Sequence, residues 1–460
     1  MEKNNLIINV LVRNINKGIK YLINYKLSYS FLFLLVISCT YEKDDVVNDL
    51  VDNYAIQTEL TKRSYSEALN AAYNVINYID DKGVMRSNGE NKKLDLENGV
   101  KYIVSPSSSI TKTSTNQLDT LMYVFNYEND EGFVIISASK MTPPILAFTD
   151  KGYYDPSEIQ DNIGFEFVMY NTRKYVSDSF RTPVRSHGPF TPIEFEPIYT
   201  ILSSVGNFIN VQWGQTGVEG KFCPNGISGC ANTASAMLMS YYEYPQAIKL
   251  QHDSYVNPNY SLNWTKMKYH KRDHQYGNIF EPYISSEDSL QSHDMISHLC
   301  RQLGVLAGST YYNTSTGTNT NGILSSLSSM GYNTSGSTIN YTQNGLVAIL
   351  NTQHPVYMTG YFYDTDGYPQ GHAWLVDGYR YYSIYDPAIM VIGDDGSITY
   401  GDTYYRYYNH INWGWDGRNN GFFIANSFST SGGWYDTGYS ISGNYNFNIN
   451  LCMHNIYPNQ

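Results

Sequence analysis

The sequence predicts an α+β protein in two units, a small one over residues 61–185 and a larger one over 190–460. Three observations carry this. A helix, a strand pair and a second helix follow one another before residue 180. A polar stretch with proline and glycine, Thr182–Pro189, then interrupts the pattern. Beyond it, a helical stripe near residue 237 gives way to apolar strand-like runs. A hydrophobic content of 42% against 16% charged residues places the chain among globular proteins able to bury real cores.

In the first unit, Ser64-Tyr65-Ser66-Glu67 has the form of a capping box, with the glutamate three residues after the serine. Tyr65, Ala68, Leu69, Ala72, Ile76 and Ile79 follow at helical spacing. Residues 106–117 are rich in Ser and Thr and read as a loop. Met122–Tyr127 and Gly132–Ser137 read as strands of a hairpin turning through Glu128–Glu131, and residues 163–179 as a helix. Arg181 and Arg185 lie in the connecting segment, where proteolytic nicking concentrates.

The N-terminus reads as a targeting segment over 1–39, followed by a polar tether over 40–60. Lys3, Arg13, Lys17, Lys20 and Lys26 precede an apolar run from Phe31 to Ile37, the order of a secretory signal too short to span a bilayer. It ends in Val36-Ile37-Ser38-Cys39, which resembles the lipobox of bacterial lipoproteins and makes Cys39 a candidate for lipidation. An ordinary cleaved signal with an incidental cysteine is the alternative. The expected location is the outer membrane or cell surface, with release after processing. A net charge of −12 without a basic run argues against a nucleic-acid partner.

The remaining cysteines are Cys223, Cys230, Cys300 and Cys452, too few for a fold that depends on disulfides. Pairing of Cys223 with Cys230 stays open. Cys230 begins the run Gly229-Cys230-Ala231-Asn232, one turn before the stripe Ala234, Met237, Leu238, Tyr241 and Tyr242, which Pro245 stops. A helix N-terminus favours a thiolate through its free N–H groups and positive dipole end. A buried cysteine at a helix start is the structural alternative.

Other residues favour chemistry. Gln215, in Trp213-Gly214-Gln215, could donate to an oxyanion alongside the Cys230 N–H. His372, roughly 140 residues after the thiol, precedes the strand-like run Ala373–Val376, so its ring could project into a cleft. Asn412 could accept from the second imidazole nitrogen and hold the tautomer, with Trp413 shielding that bond. His410, two residues from Asn412, competes with His372 but reads more naturally as a neighbour.

Taken together, Trp213-Gly214-Gln215, Gly229-Cys230, Tyr244-Pro245, Gly371–Tyr379 and His410–Gly417 resemble the streptopain-like cysteine peptidases, a branch of the papain-like group. The upstream Gly132–Ser137 and Pro144-Ile145-Leu146 are similar to that family's inhibitory propeptide. The resemblance implies a papain-like catalytic domain, with a helical and an antiparallel β subdomain, behind a small α+β propeptide. It implies a zymogen endopeptidase with Cys230 as nucleophile, His372 as its partner, and support from Gln215, Asn412 and Trp413. No metal or organic cofactor is expected. The implied partners are peptide substrates, the chain's own propeptide as inhibitor, and a membrane through lipid on Cys39. Cys223 and the pair Ala231-Asn232 depart from the family's usual pattern. The rival readings are a Cys-His amidase acting on cell-wall peptides and a catalytically silent surface-binding lipoprotein.

Overall fold

The computed structural model describes residues 61–76, 92–104, 120–156, 162–180, 197–271, 285–364, 369–392, 398–428 and 445–459. The leader with Cys39, the loop at 106–117, and Arg181 and Arg185 lie outside them. Residues from Lys62 onward form one compact unit.

The N-terminal part contains helix α1 (Tyr65–Asn74), strands β1 (Val100–Val104), β2 (Thr120–Asn126), β3 (Phe133–Ser137) and β4 (Ile145–Thr149), and helix α2 (Ile163–Ser179). Both halves of the capping box are made: the Glu67 N–H donates to Ser64 Oγ, and the Ser64 N–H to the Glu67 carboxylate. Asn162 caps α2 by accepting from the Phe165 N–H.

Strand β5 (Ile198–Val205) leads into a helical layer of α3 (Cys230–Tyr242), α4 (Trp264–Met267), α5 (Ser286–Ala307), α6 (Thr320–Ser329) and α7 (Gln343–Leu350). Three minor pairs of strand segments decorate this region: β6 (Ala247–His252) with β7 (Tyr255–Ser261), β8 (Thr310–Tyr311) with β9 (Thr316–Gly317), and β10 (Tyr332–Asn333) with the C-terminal β17 (Tyr457–Pro458); β11 (Thr338–Asn340) pairs with β16 (Tyr445–Asn455) at the edge of the main sheet. The long strands β12 (Val356–Asp364), β13 (Pro369–Ile392), β14 (Ile398–Asn412) and the short β15 (Gly421–Ile424) complete the fold.

One sheet crosses both parts. Its order runs β1-β2-β3-β4-β15-β14-β13-β12-β16-β11, with β5 pairing onto β13. The join is the antiparallel register Gly421↔Thr149, Phe422↔Phe148 and Phe423↔Ala147. Phe148 and Phe422 stack there at 5.0 Å, and the Arg380 guanidinium sits 4.3 Å over the Phe422 ring. An aromatic pair of this kind adds about 0.5–1.5 kcal/mol beyond area burial. The two parts thus share a core rather than merely touching.

Strand alternation sorts β13 between two cores. Trp374 and Val376 face the core shared with the N-terminal part, while Ala373 and Leu375 face the core built around α3. This period-2 division places the candidate site on the seam between the cores.

Candidate active site

Helix α3 starts at Cys230, as the apolar stripe predicts. Gly229 precedes it with φ 86°, and no side chain caps the first turn, so its N–H groups stay available to an anion. A Cβ at Gly229 would lie 2.9 Å from the Thr316 carbonyl oxygen and in a conformation side chains rarely adopt. Asn232 Nδ2 donates to the Ser228 carbonyl, bracing the turn that presents the cysteine. Tyr357, from β12, is fully buried and donates to the Ala231 carbonyl at 3.0 Å, close enough to Cys230 for the two groups to interact electrostatically.

Burial pushes the Cys230 thiol up, and N–H groups from Ala373, Ala231 and Cys230 itself offset part of that rise. Ala373 is the residue after His372, so strand β13 reaches the sulfur through its backbone. Gln215 belongs to the same corner. Its carbonyl accepts from the Ser228 N–H at 2.8 Å, and its side chain is only half-buried. Glu219 steadies this loop by accepting from the Gly214 N–H at 3.0 Å, and Lys271 bridges Glu219 to Asp416.

His372 departs from the sequence reading. Its ring is buried on the Trp374 side of β13, stacked with Trp374 at 5.9 Å and tilted against Trp413 at 6.5 Å. It hydrogen-bonds to the Trp413 backbone, while Nε2 has no partner. Gly164, in the first turn of α2, covers it: a Cβ at Gly164 would stand 2.4 Å from His372 Cδ2 and 3.1 Å from Nε2. The ring therefore packs against the N-terminal part instead of opening into a cleft. Burial pulls the imidazole down to about 4, so thiol and imidazole are both neutral in this form.

Asn412 does not orient the imidazole here. Its Nδ2 donates to the Val211 carbonyl at 2.9 Å and its Oδ1 accepts from the Gly414 N–H at 3.2 Å. Both ends of the amide are thus engaged by backbone of its own neighbourhood, and the imidazole hydrogen-bonds to the Trp413 backbone instead. Trp413 is fully buried, with Nε1 donating to the Asn419 carbonyl.

His410 is the second surprise. It lies buried between Asp377 (Nδ1 to Oδ1, 2.5 Å) and Asp150 (Nε2 to Oδ2, 3.0 Å). Burial would lower it, but the two carboxylates raise it to about 10. Cys223, Cys230, Cys300 and Cys452 are all free thiols. Among the described residues no set of three or more His, Cys, Asp or Glu is placed to hold a metal ion, and no helix is long and apolar enough to cross a membrane.

Sequence reasoning missed Gly164 and Asp150, which carry no local signal beyond a small residue in a helix and a carboxylate after a strand. Trp374 and Asp377 stood inside a quoted motif without a role.

Comparison with known proteins gives the class. Residues 212–423 match the Peptidase C10 family and residues 56–173 match the Spi protease inhibitor. Streptopain of Streptococcus pyogenes is 25% identical over 333 residues, covering 67% of this chain and 75% of its own. The thiol protease/hemagglutinin PrtT of Porphyromonas gingivalis is 25% identical over 369 residues, 70% of this chain but 36% of that protein. Among solved structures, the Prevotella intermedia prointerpain A fragment matches with TM-score 0.45 and 18% identity, over 78% of this chain and all of that one. The chain is a cysteine-type endopeptidase in which an inhibitor domain precedes the catalytic domain. Its residues 212–423 carry the Peptidase C10, streptopain-like, domain, and residues 56–173 the Spi inhibitor domain.

Proposed function

We propose that the chain is an exported zymogen that hydrolyses peptide bonds through Cys230 and His372, held latent by its own N-terminal domain. The observation that carries this is the seat of Gly164 on the His372 ring while the sulfur of Cys230 is met by the next residue's N–H. The sulfur meets the strand residue next to the base, and the inhibitor helix keeps the base turned into the wrong core.

Departure of α2 frees the imidazole to swing about Gly371-His372 toward the sulfur. Exposure returns it toward the ordinary histidine range, and contact with the thiol then favours the thiolate–imidazolium pair. His372 takes the Cys230 proton, and the thiolate attacks the peptide carbonyl. The oxyanion is met by the Cys230 N–H and the half-exposed Gln215 amide. Imidazolium then protonates the leaving amine, giving an acyl-enzyme. A water deprotonated by His372 attacks that thioester, releasing the acid and restoring the thiol. Asn412 and Trp413 fix the loop whose backbone receives the imidazole. No step calls for a cofactor.

Export rests on the basic and apolar leader, and lipid attachment on Cys39. Radiolabelled acyl-chain incorporation, lost in Cys39→Ser, tests the latter. For the catalytic reading, Cys230→Ala is expected to abolish both self-processing and casein hydrolysis. Processing that proceeds normally in that variant overturns autocatalysis, and activity on purified peptidoglycan but not casein favours the amidase.

A further inference from the structure

Away from the sulfur, the inhibitor domain reaches the catalytic sheet through a buried row of charges. Asp150 directly follows strand β4; His410 stands on β14; Asp377 stands on β13, fully buried. His410 bridges the two carboxylates. The row is locked from both sides. The second Asp377 oxygen accepts from the Ile209 N–H at 2.9 Å, and Asp150 donates its own N–H to the Asn420 carbonyl at 2.8 Å. Lys92 Nζ donates to the Thr149 carbonyl at 3.1 Å beside it. None of these groups touches Cys230 or His372 in the mechanism above.

We propose that Asp150, His410 and Asp377 form the latch that keeps the inhibitor strand β4 zipped to catalytic strand β15. This deepens the zymogen reading by assigning a retention site separate from the Gly164 block. The chemistry fits the location. A buried imidazolium needs two acceptors, and the catalytic domain supplies one, Asp377; the inhibitor domain supplies the other. When β4 leaves, one N–H of a buried cation loses its acceptor, so separation is opposed by more than the strand pairing. Only a strand carrying a carboxylate at the position of Asp150 closes the row, which gives the docking edge a preference for its own inhibitor.

The charges that bear on the row are few. Asp150 faces His410, with Lys92 and Arg380 contributing positive charge; His410 faces the two carboxylates and the Phe422 ring edge. Burial opposes ionisation of Asp150, and the His410 hydrogen bond and charge more than offset it, leaving it lowered. A raised histidine contributes fully below its ordinary value and loses its contribution as pH rises toward about 10. A lowered aspartate contributes above its ordinary value and loses it as pH falls. The latch is therefore strongest in between and weakens at both extremes.

The test uses the full chain carrying Cys230→Ala, so that self-cleavage does not intrude. Backbone amide hydrogen exchange is followed over 145–150 and 421–424, with and without Asp150→Asn. The asparagine keeps the shape and removes the charge. Exchange in both strands is expected to accelerate at least ten-fold while helix α3 is unchanged; equal protection in the two chains overturns the latch. A second measurement does not need the variant to fold. With ring-labelled histidine, His410 in the Cys230→Ala chain is expected to remain protonated at pH 8. A neutral His410 there overturns the proposal. Both readouts report docking and not hydrolysis, so loss of the latch and loss of the peptidase assignment give different results.

Discussion

Gly164 and His372 meet face to face: the α-carbon of one inhibitor residue occupies the place where any side chain would collide with the imidazole. The contact falls on the base of the pair rather than on the sulfur. Replacing Gly164 by Val puts branched bulk 2.4 Å from His372 Cδ2, an overpacking that costs roughly 1–3 kcal/mol of docking. The expected outcome is a Cys230 that reacts with iodoacetamide about ten-fold faster in the unprocessed chain. Labelling at the parent rate would remove the block from the account.

Latency should also be visible as a pH profile. In the closed form the thiol is raised by burial and the imidazole lowered to about 4. Alkylation of unprocessed Cys230 is therefore expected to rise only on the alkaline side of the free-thiol range. After processing, the profile should acquire a plateau at neutral pH, the mark of an ion pair. His372→Ala is expected to leave the first profile in place and remove the plateau.

Glu166 offers a stability test within α2. It is buried, with Oε2 unpartnered, and burial raises its carboxyl to about 7, moderated by Arg173. A raised carboxyl favours the folded form when protonated, so its penalty grows as pH rises from its ordinary value and is complete above about 7. Glu166→Gln should accordingly stabilise the unprocessed chain at pH 8 by on the order of 2–3 kcal/mol, with little effect at pH 4. Thermal unfolding at the two pH values measures the difference.

Asn412→Ala should act through structure. It strands the Val211 carbonyl and the Gly414 N–H in a buried loop, a loss of roughly 1–3 kcal/mol. Denaturant unfolding of the Cys230→Ala chain is expected to show that loss even though no catalysis is possible there.

Local rules made much of this legible. The capping box at Ser64, helix α2 over 163–179 and the start of α3 at Cys230 depend on residues within one or two turns, and each stands where its pattern predicts. The hairpin of β2 and β3 forms as read, with a short 3-10 turn at Glu128–Asp130. The run of candidates Cys230, His372, Gln215, Asn412 and Trp413 was readable because the motifs are compact. What the side chains do inside the closed form was not. Asn412 satisfies its own loop, and His372 answers to Gly164, a residue in another domain. Neither relation has a periodicity, since both arise where two cores meet. The joining of β4 to β15 was hidden for the same reason: each strand reads as half of a separate sheet, and only tertiary packing chooses the edge.

That shared sheet bears on the protein once its N-terminal part has gone. Removing β4 bares the backbone donors and acceptors of β15, the kind of surface on which protein chains stick to one another. Four residues, beginning with a glycine at φ 154°, offer a very short template. The liberated peptidase can thus stay dispersed while carrying a scar of its former closure.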